Sequence, residues 1–136
     1  MLARDGAAVD TIAERILAAL ADHQLYASSP SWDGKWLSVL LRAGGLPRHA
    51  LRLKDTDEAQ HETAAETLAP FVQAEQLADV AKSIVERVLA ANANQPVAHR
   101  ALADAAHERE LWLAVRAEAA HEGERLAAGK PASTPR

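Results

Sequence analysis

From Leu77 to Leu89 the apolar residues Leu77, Val80, Ala81, Ile84, Val85, Val88 and Leu89 recur at 3.6-residue spacing, with Asp79 and Glu86 turned away from them. A strand would need alternation with period two, so this stretch can only be an amphipathic helix. The rest of the chain offers no counterweight. β-branched residues nowhere alternate with polar ones over a strand's length, and 32 of the 136 residues are Ala, the strongest helix former. The expected fold class is all-α, a bundle of five or six helices with a long C-terminal helix and a disordered C-terminal tail. Residues 1–10 are expected to be flexible, 11–127 to form one helical domain and 128–136 to be the tail.

Caps and breakers divide that domain. Thr11-Ile-Ala-Glu14 has the capping-box form and predicts a helix over 11–25, with Ile12, Ile16, Ala19 and Leu20 on one face. A second helix starts at Ser29 or Ser31 with Pro30 in its first turn, and carries Trp32, Trp36, Leu37, Leu40 and Leu41. Gly44-Gly45 ends it and Pro47 delays resumption until a short helix over 48–54. Asp55 and Thr56 cap a third helix reaching Ala69, where Pro70 kinks it or begins another. After the Leu77 helix and an NANQP loop, a last helix runs over 96–126. On a wheel of 100° per residue its stripe Val97, Ala101, Ala105, Trp112, Val115, Ala119 and Leu126 spans about 80° and encloses Glu108. Ile12/Ile16/Leu20, Trp36/Leu40, Leu77/Ile84/Val88 and Trp112/Val115 are expected to supply core.

Several chemistries drop out on composition. Cys is absent, which removes thiol catalysis, disulfides and Cys-held metals and fits a cytoplasmic location. No apolar run approaches a membrane span, and no secretory leader is evident at the N-terminus, so no membrane partner is expected. The Ser residues lie in no nucleophile elbow, and with 6 Gly there is no phosphate loop or dinucleotide fingerprint. No cofactor is expected.

Metal spacing exists but points the wrong way. Glu58-Ala-Gln-His61 and Glu118-Ala-Ala-His121 match the Glu-x-x-His element of di-iron bundles, with Glu14 and Glu86 on other helices. The helical phase turns Glu14, Glu86 and His121 away from the apolar faces, so no metal site is assigned. His23 and His61 are expected to be structural, with a ring nitrogen on a backbone carbonyl. Arg116-Ala-Glu-Ala-Ala-His121 resembles, over six residues, the Arg-x4-His signature of helical HEPN-type ribonucleases. That resemblance implies RNA cleavage by Arg116 and His121 of paired protomers, although Ala117 stands where those enzymes usually carry a polar residue. Arg100 and His107 form a second, looser pairing.

Charge is unevenly distributed. The net charge of −4 speaks against a non-specific polyanion binder. Yet Lys35 to Lys54 holds five basic residues and no acid, and Asp55 to Asp79 holds seven acids and no Lys or Arg. The simplest account is that the two segments neutralise each other. The tryptophans are expected to pack, since Trp32, Trp36, Leu40 and Leu41 repeat on one helical side. The functional expectation is a non-enzymatic helical interaction protein, an adaptor, inhibitor or small subunit, binding a protein partner or itself. Arg42, Arg48, Arg52, Lys54, Glu108 and Trp112 are its candidate partner-binding residues. The alternative is a nucleic-acid-binding regulator using the basic segment 42–54, which resembles a helix-turn-helix in outline.

Overall fold

A computed structural model describes residues 6–96 and 100–129. These described residues are mostly helical, with five helices and two short strands in the order α1 (Val9–Leu20), β1 (Leu25–Ala27), α2 (Pro30–Ala43), β2 (Leu53–Asp55), α3 (Thr56–Leu68), α4 (Ala74–Asn92) and α5 (Ala101–Gly129). It divides into two compact units, Met1–Thr56 and Asp57–Arg136.

In the first unit β1 and β2 pair in parallel, with Leu25 opposite Leu53, Tyr26 opposite Lys54 and Ala27 opposite Asp55. This pair corrects the purely helical expectation, and it replaces the short helix expected over 48–54. Parallel strands cannot be joined by a tight turn and need a crossover element. Here α2 is that crossover, and it packs against α1, β1 and β2. Helix α1 starts two residues before Thr11 and ends at Leu20, so Thr11 and Glu14 lie inside it and form no capping box. The residue preceding the helix is Ala8, whose carbonyl accepts from Ile12 N at 3.0 Å, while the Asp10 carboxylate takes the Thr11 N–H at 2.7 Å.

Two glycines close α2 for different reasons. Gly45 N–H donates to Arg42 O at 3.1 Å and Leu46 N–H to Leu41 O at 2.9 Å, the two bonds of a Schellman terminus. That terminus needs a left-handed residue at Gly45, which has φ 77°. Gly44 serves packing instead. A Cβ there would overlap the Ala13 Cβ and stand 3.3 Å from Val9 O, so the absent methyl is what lets α1 and α2 approach.

In the second unit the core is drawn from three helices: Ala64 and Leu68 of α3, Ala81, Ile84, Val85 and Val88 of α4, and Val115 and Ala119 of α5. The Leu77 to Leu89 repeat buries the face it predicts. The segment linking α3 to α4 brings the Phe71 ring onto α5 at Gly123, where a Cβ would come within 2.6 Å of Cδ2. A mid-helix glycine costs about 1 kcal/mol of helix propensity relative to Ala, and the ring fills the space it leaves. On α5 the buried line is Leu111, Val115, Ala119 and Gly123, whereas Ala101 and Ala105 of the expected stripe are exposed; Val97 lies outside the described residues. The helix continues through Ala128 and Gly129, two residues expected to belong to the tail. Residues 130–136 lie outside the described residues, as do 1–5 of the expected flexible N-terminus, whose last two residues, Val9 and Asp10, are helical.

Near the end of α5, Arg125 donates from Nε to Glu122 Oε2 at 2.8 Å and from Nη2 to Oε1 at 2.6 Å. This forked hydrogen bond holds the Glu122 carboxyl below its ordinary range. A depressed folded-state value stabilises above the unfolded value and loses that contribution as pH falls through the folded one. Titration by NMR is expected to place Glu122 below ordinary glutamates, and Arg125→Gln to move it upward.

The glycines of α2 give opposite expectations. Gly34, where an added Cβ meets nothing within 4 Å, sits inside the helix, so Gly34→Ala should stabilise by about 0.5–1 kcal/mol. Gly44→Ala should destabilise by about 1–3 kcal/mol, because two helix backbones must separate. Urea unfolding followed by circular dichroism measures both.

Candidate interaction surface

Helix α2 begins where the Ser29 carbonyl accepts from Trp32 N and Asp33 N, both at 3.0 Å, with Pro30 in its first turn. Ser29 is the flanking residue, as its position before Pro30 predicts, but its hydroxyl makes no capping bond. Beyond that turn the helix is apolar on two opposite sides, and its neighbours cover only one of them. Leu41 is fully buried, with Leu37 and Leu40 half-buried beside it. At 100° per residue Leu41 lies about 180° from Trp32. Trp36 and Val39 fall within about 40° of Trp32, so they too face away from Leu41.

The outcome reverses the expectation that the tryptophans pack. Trp32 is 59% exposed, Trp36 54% and Val39 51%. With Ala43, also exposed, they form a stripe about 16 Å long at 1.5 Å per residue. The two indoles meet edge to face, with centroids 6.0 Å apart and planes at 78°. The Lys35 ammonium lies 5.7 Å from the Trp32 ring centre and 5.9 Å from that of Trp36. This is a cation held by two ring faces, worth about 0.5–1 kcal/mol at an exposed site. Arg42, two turns on and along the same flank, is exposed as well.

The other candidate residues fall elsewhere. Arg48 and Arg52 are exposed in the segment between α2 and β2, and neither has an ion-pair partner among the described residues. Lys54 sits in β2 and is engaged in a polar interaction, as are Asp55, Asp57 and Glu62 of the acidic run. Arg52 and Lys54, together with His23 and His49, line an open concavity of about 400 Å³ floored by Leu51. Glu108 and Trp112 belong to the second unit. Glu108 is half-buried one turn before Leu111, where the buried line of α5 begins, so it marks the edge of that core. The third tryptophan is structural: Trp112 Nε1–H donates to Thr63 Oγ1 at 2.7 Å, tying α5 to α3, and Arg116 lies 5.8 Å over its ring.

The residues weighed for catalysis do not converge. Glu14, Glu86 and His121 are exposed, and Glu118 pairs with Arg87 of α4 at 3.5 Å. No group of three metal-ligating side chains occurs among the described residues. His61 Nδ1–H donates to Asp57 O at 2.8 Å, the structural role its position suggested. Arg116 and His121 are both solvent-exposed on α5. Among the described residues no helix is long and apolar enough to cross a membrane. Comparison with protein-family models, with curated proteins and with solved structures finds no match to the chain. What the surface does is therefore argued from its own chemistry.

The reversal at Trp32 and Trp36 is directly measurable. Acrylamide should quench most of the protein's fluorescence, and Trp32→Phe with Trp36→Phe should leave a protected, blue-shifted emission from Trp112. An emission that stays equally quenchable in the double variant would contradict the exposure described.

Proposed function

We propose that this protein is a non-enzymatic interaction protein that binds another protein through the outward face of α2. The observation that carries the reading is the exposed Trp32, Trp36 and Val39 stripe. Tryptophan is costly to leave in water, and burying one adds about 150–250 Å² of contact with two rotatable bonds to fix. For that reason it dominates the energetics of protein interfaces. A large apolar side chain exposed singly needs no explanation, but three on consecutive turns of one helix form the anchor pattern by which helices dock.

The reading moves the candidate surface from Arg48, Arg52, Lys54, Glu108 and Trp112 to α2, and keeps Arg42 as part of it. It is tested by comparing immobilised wild-type protein with Trp32→Ala/Trp36→Ala and with Arg48→Ala/Arg52→Ala. A partner protein should be retained by wild type and by the arginine variant and lost from the tryptophan variant, whose circular dichroism should be unchanged. Reconstituted with the purified partner, the tryptophan variant should bind at least tenfold more weakly, about 1.4 kcal/mol. A partner, or a single-stranded oligonucleotide, held equally well after both tryptophans are removed would refute the proposal.

A further inference from the structure

Resting on that reading, we infer that the α2 stripe takes an acidic amphipathic helix, one whose apolar i, i+4, i+7 residues meet Trp32, Trp36 and Val39 and whose carboxylates meet Lys35 and Arg42. The cations set the argument. Taking Trp32 as zero, Lys35 and Arg42 lie at about −60° and −80°, on one flank of the stripe and about 10 Å apart along the axis. The only charged residue on the other flank is Asp33, in the first turn, where the N-terminal end of the helix dipole favours it. No acid occurs between Lys35 and Lys54, so nothing in that run competes for the two cations. Lys35 is also held in place, because both indoles lie beneath its ammonium.

A partner helix therefore needs acids seven residues apart on the side that faces this flank. Apolar contact with the indoles would supply affinity, and the flanking pairs would set orientation and partner choice. The same geometry disfavours an antiparallel pairing with a second copy of this chain. In an antiparallel two-fold pair of α2 helices like flanks meet, which would bring Lys35 against Arg42 of the other copy. Single-stranded nucleic acid would share the charge preference, but two indoles whose planes stand at 78° cannot both lie parallel to successive stacked bases.

Three fluorescein-labelled helical peptides test this. Each carries Leu at i, i+4, i+7 and i+11, with Glu, Gln or Lys at two flanking positions seven residues apart. Anisotropy titrations at low salt should rank Glu above Gln above Lys, with at least fivefold between Glu and Lys. Lys35→Glu/Arg42→Glu should invert the order, and Trp32→Ala/Trp36→Ala should abolish binding of all three. If binding requires the tryptophans but the rank is unchanged by the charge reversal, the acidic partner is wrong and the α2 surface stands. If no peptide binds, or binding survives loss of the tryptophans, both fail. Sedimentation showing a dimer that dissociates in Trp32→Ala/Trp36→Ala would assign the stripe to a second copy. Tryptophan-dependent binding of oligothymidylate in preference to the Glu peptide would assign it to nucleic acid. Either result overturns the inference.

Discussion

Residues on opposite sides of a helix cannot face the same neighbour, so burying Leu41 determines what the rest of α2 presents to solvent. Helix α1 and the β1–β2 pair supply the packing of α2, and Gly44 lets α1 come close enough to serve that purpose. The parallel pairing adds a topological requirement. Strand β2 can lie beside β1 only after the chain has crossed over, and α2 is the crossover. Once its Leu41 side is taken by these contacts, no element among the described residues of its own unit is left to cover the Trp32 side. The exposed tryptophans are thus a consequence of the same contacts that hold the unit together.

The second unit meets the same requirement differently. Its helices carry much Ala, which buries little area per residue, so packing gain comes from close approach and from a few large side chains. Ala64, Ala81 and Ala119 let α3, α4 and α5 converge around Leu68, Ile84, Val85 and Val115. The one aromatic ring entering from a loop, Phe71, does so because Gly123 leaves room on α5. Trp112 shows what a satisfied tryptophan looks like here, half-buried, with its N–H on Thr63. Trp32 and Trp36 have no corresponding anchor among the described residues, and the contrast within one chain supports the reading that they contact something else.

Helix α4 was legible in the sequence because one apolar face and one polar face leave a single way to bury it. The end of α2 was legible because left-handed backbone and a tight helix contact both select glycine. Helix α2 itself was not, since Trp32, Trp36 and Val39 on one side and Leu37 and Leu41 on the other are equally apolar, and periodicity alone does not choose between them. What chose was the β1–β2 pair, six residues with no alternation to announce them, stabilised by register and crossover instead of by pattern. The expected helix over 48–54 failed for the same reason: LPRHALRLK has helical propensity, but Leu53 to Asp55 gain a strand partner that propensity cannot foresee. On α5 the wheel was right about phase and wrong about extent, because a stripe is buried only as far as neighbours reach.

In the sequence the aromatic and the basic residues between Ser31 and Lys54 are alternatives, the first suited to core and the second to recognition. Helical geometry removes that division by placing Lys35 on the two indoles and Arg42 along the same flank. In the proposed interface their effects on binding would be separable in kind. Apolar burial is insensitive to charge pattern and strong at short range, so the stripe alone would accept many apolar partners. A pair of rim cations adds little net affinity in water but repels a basic or misoriented partner, which is where discrimination arises. Arg48 and Arg52, beyond the Schellman turn, stand off that surface, and removing them is the control that separates a general basic character from the specific combination built on α2.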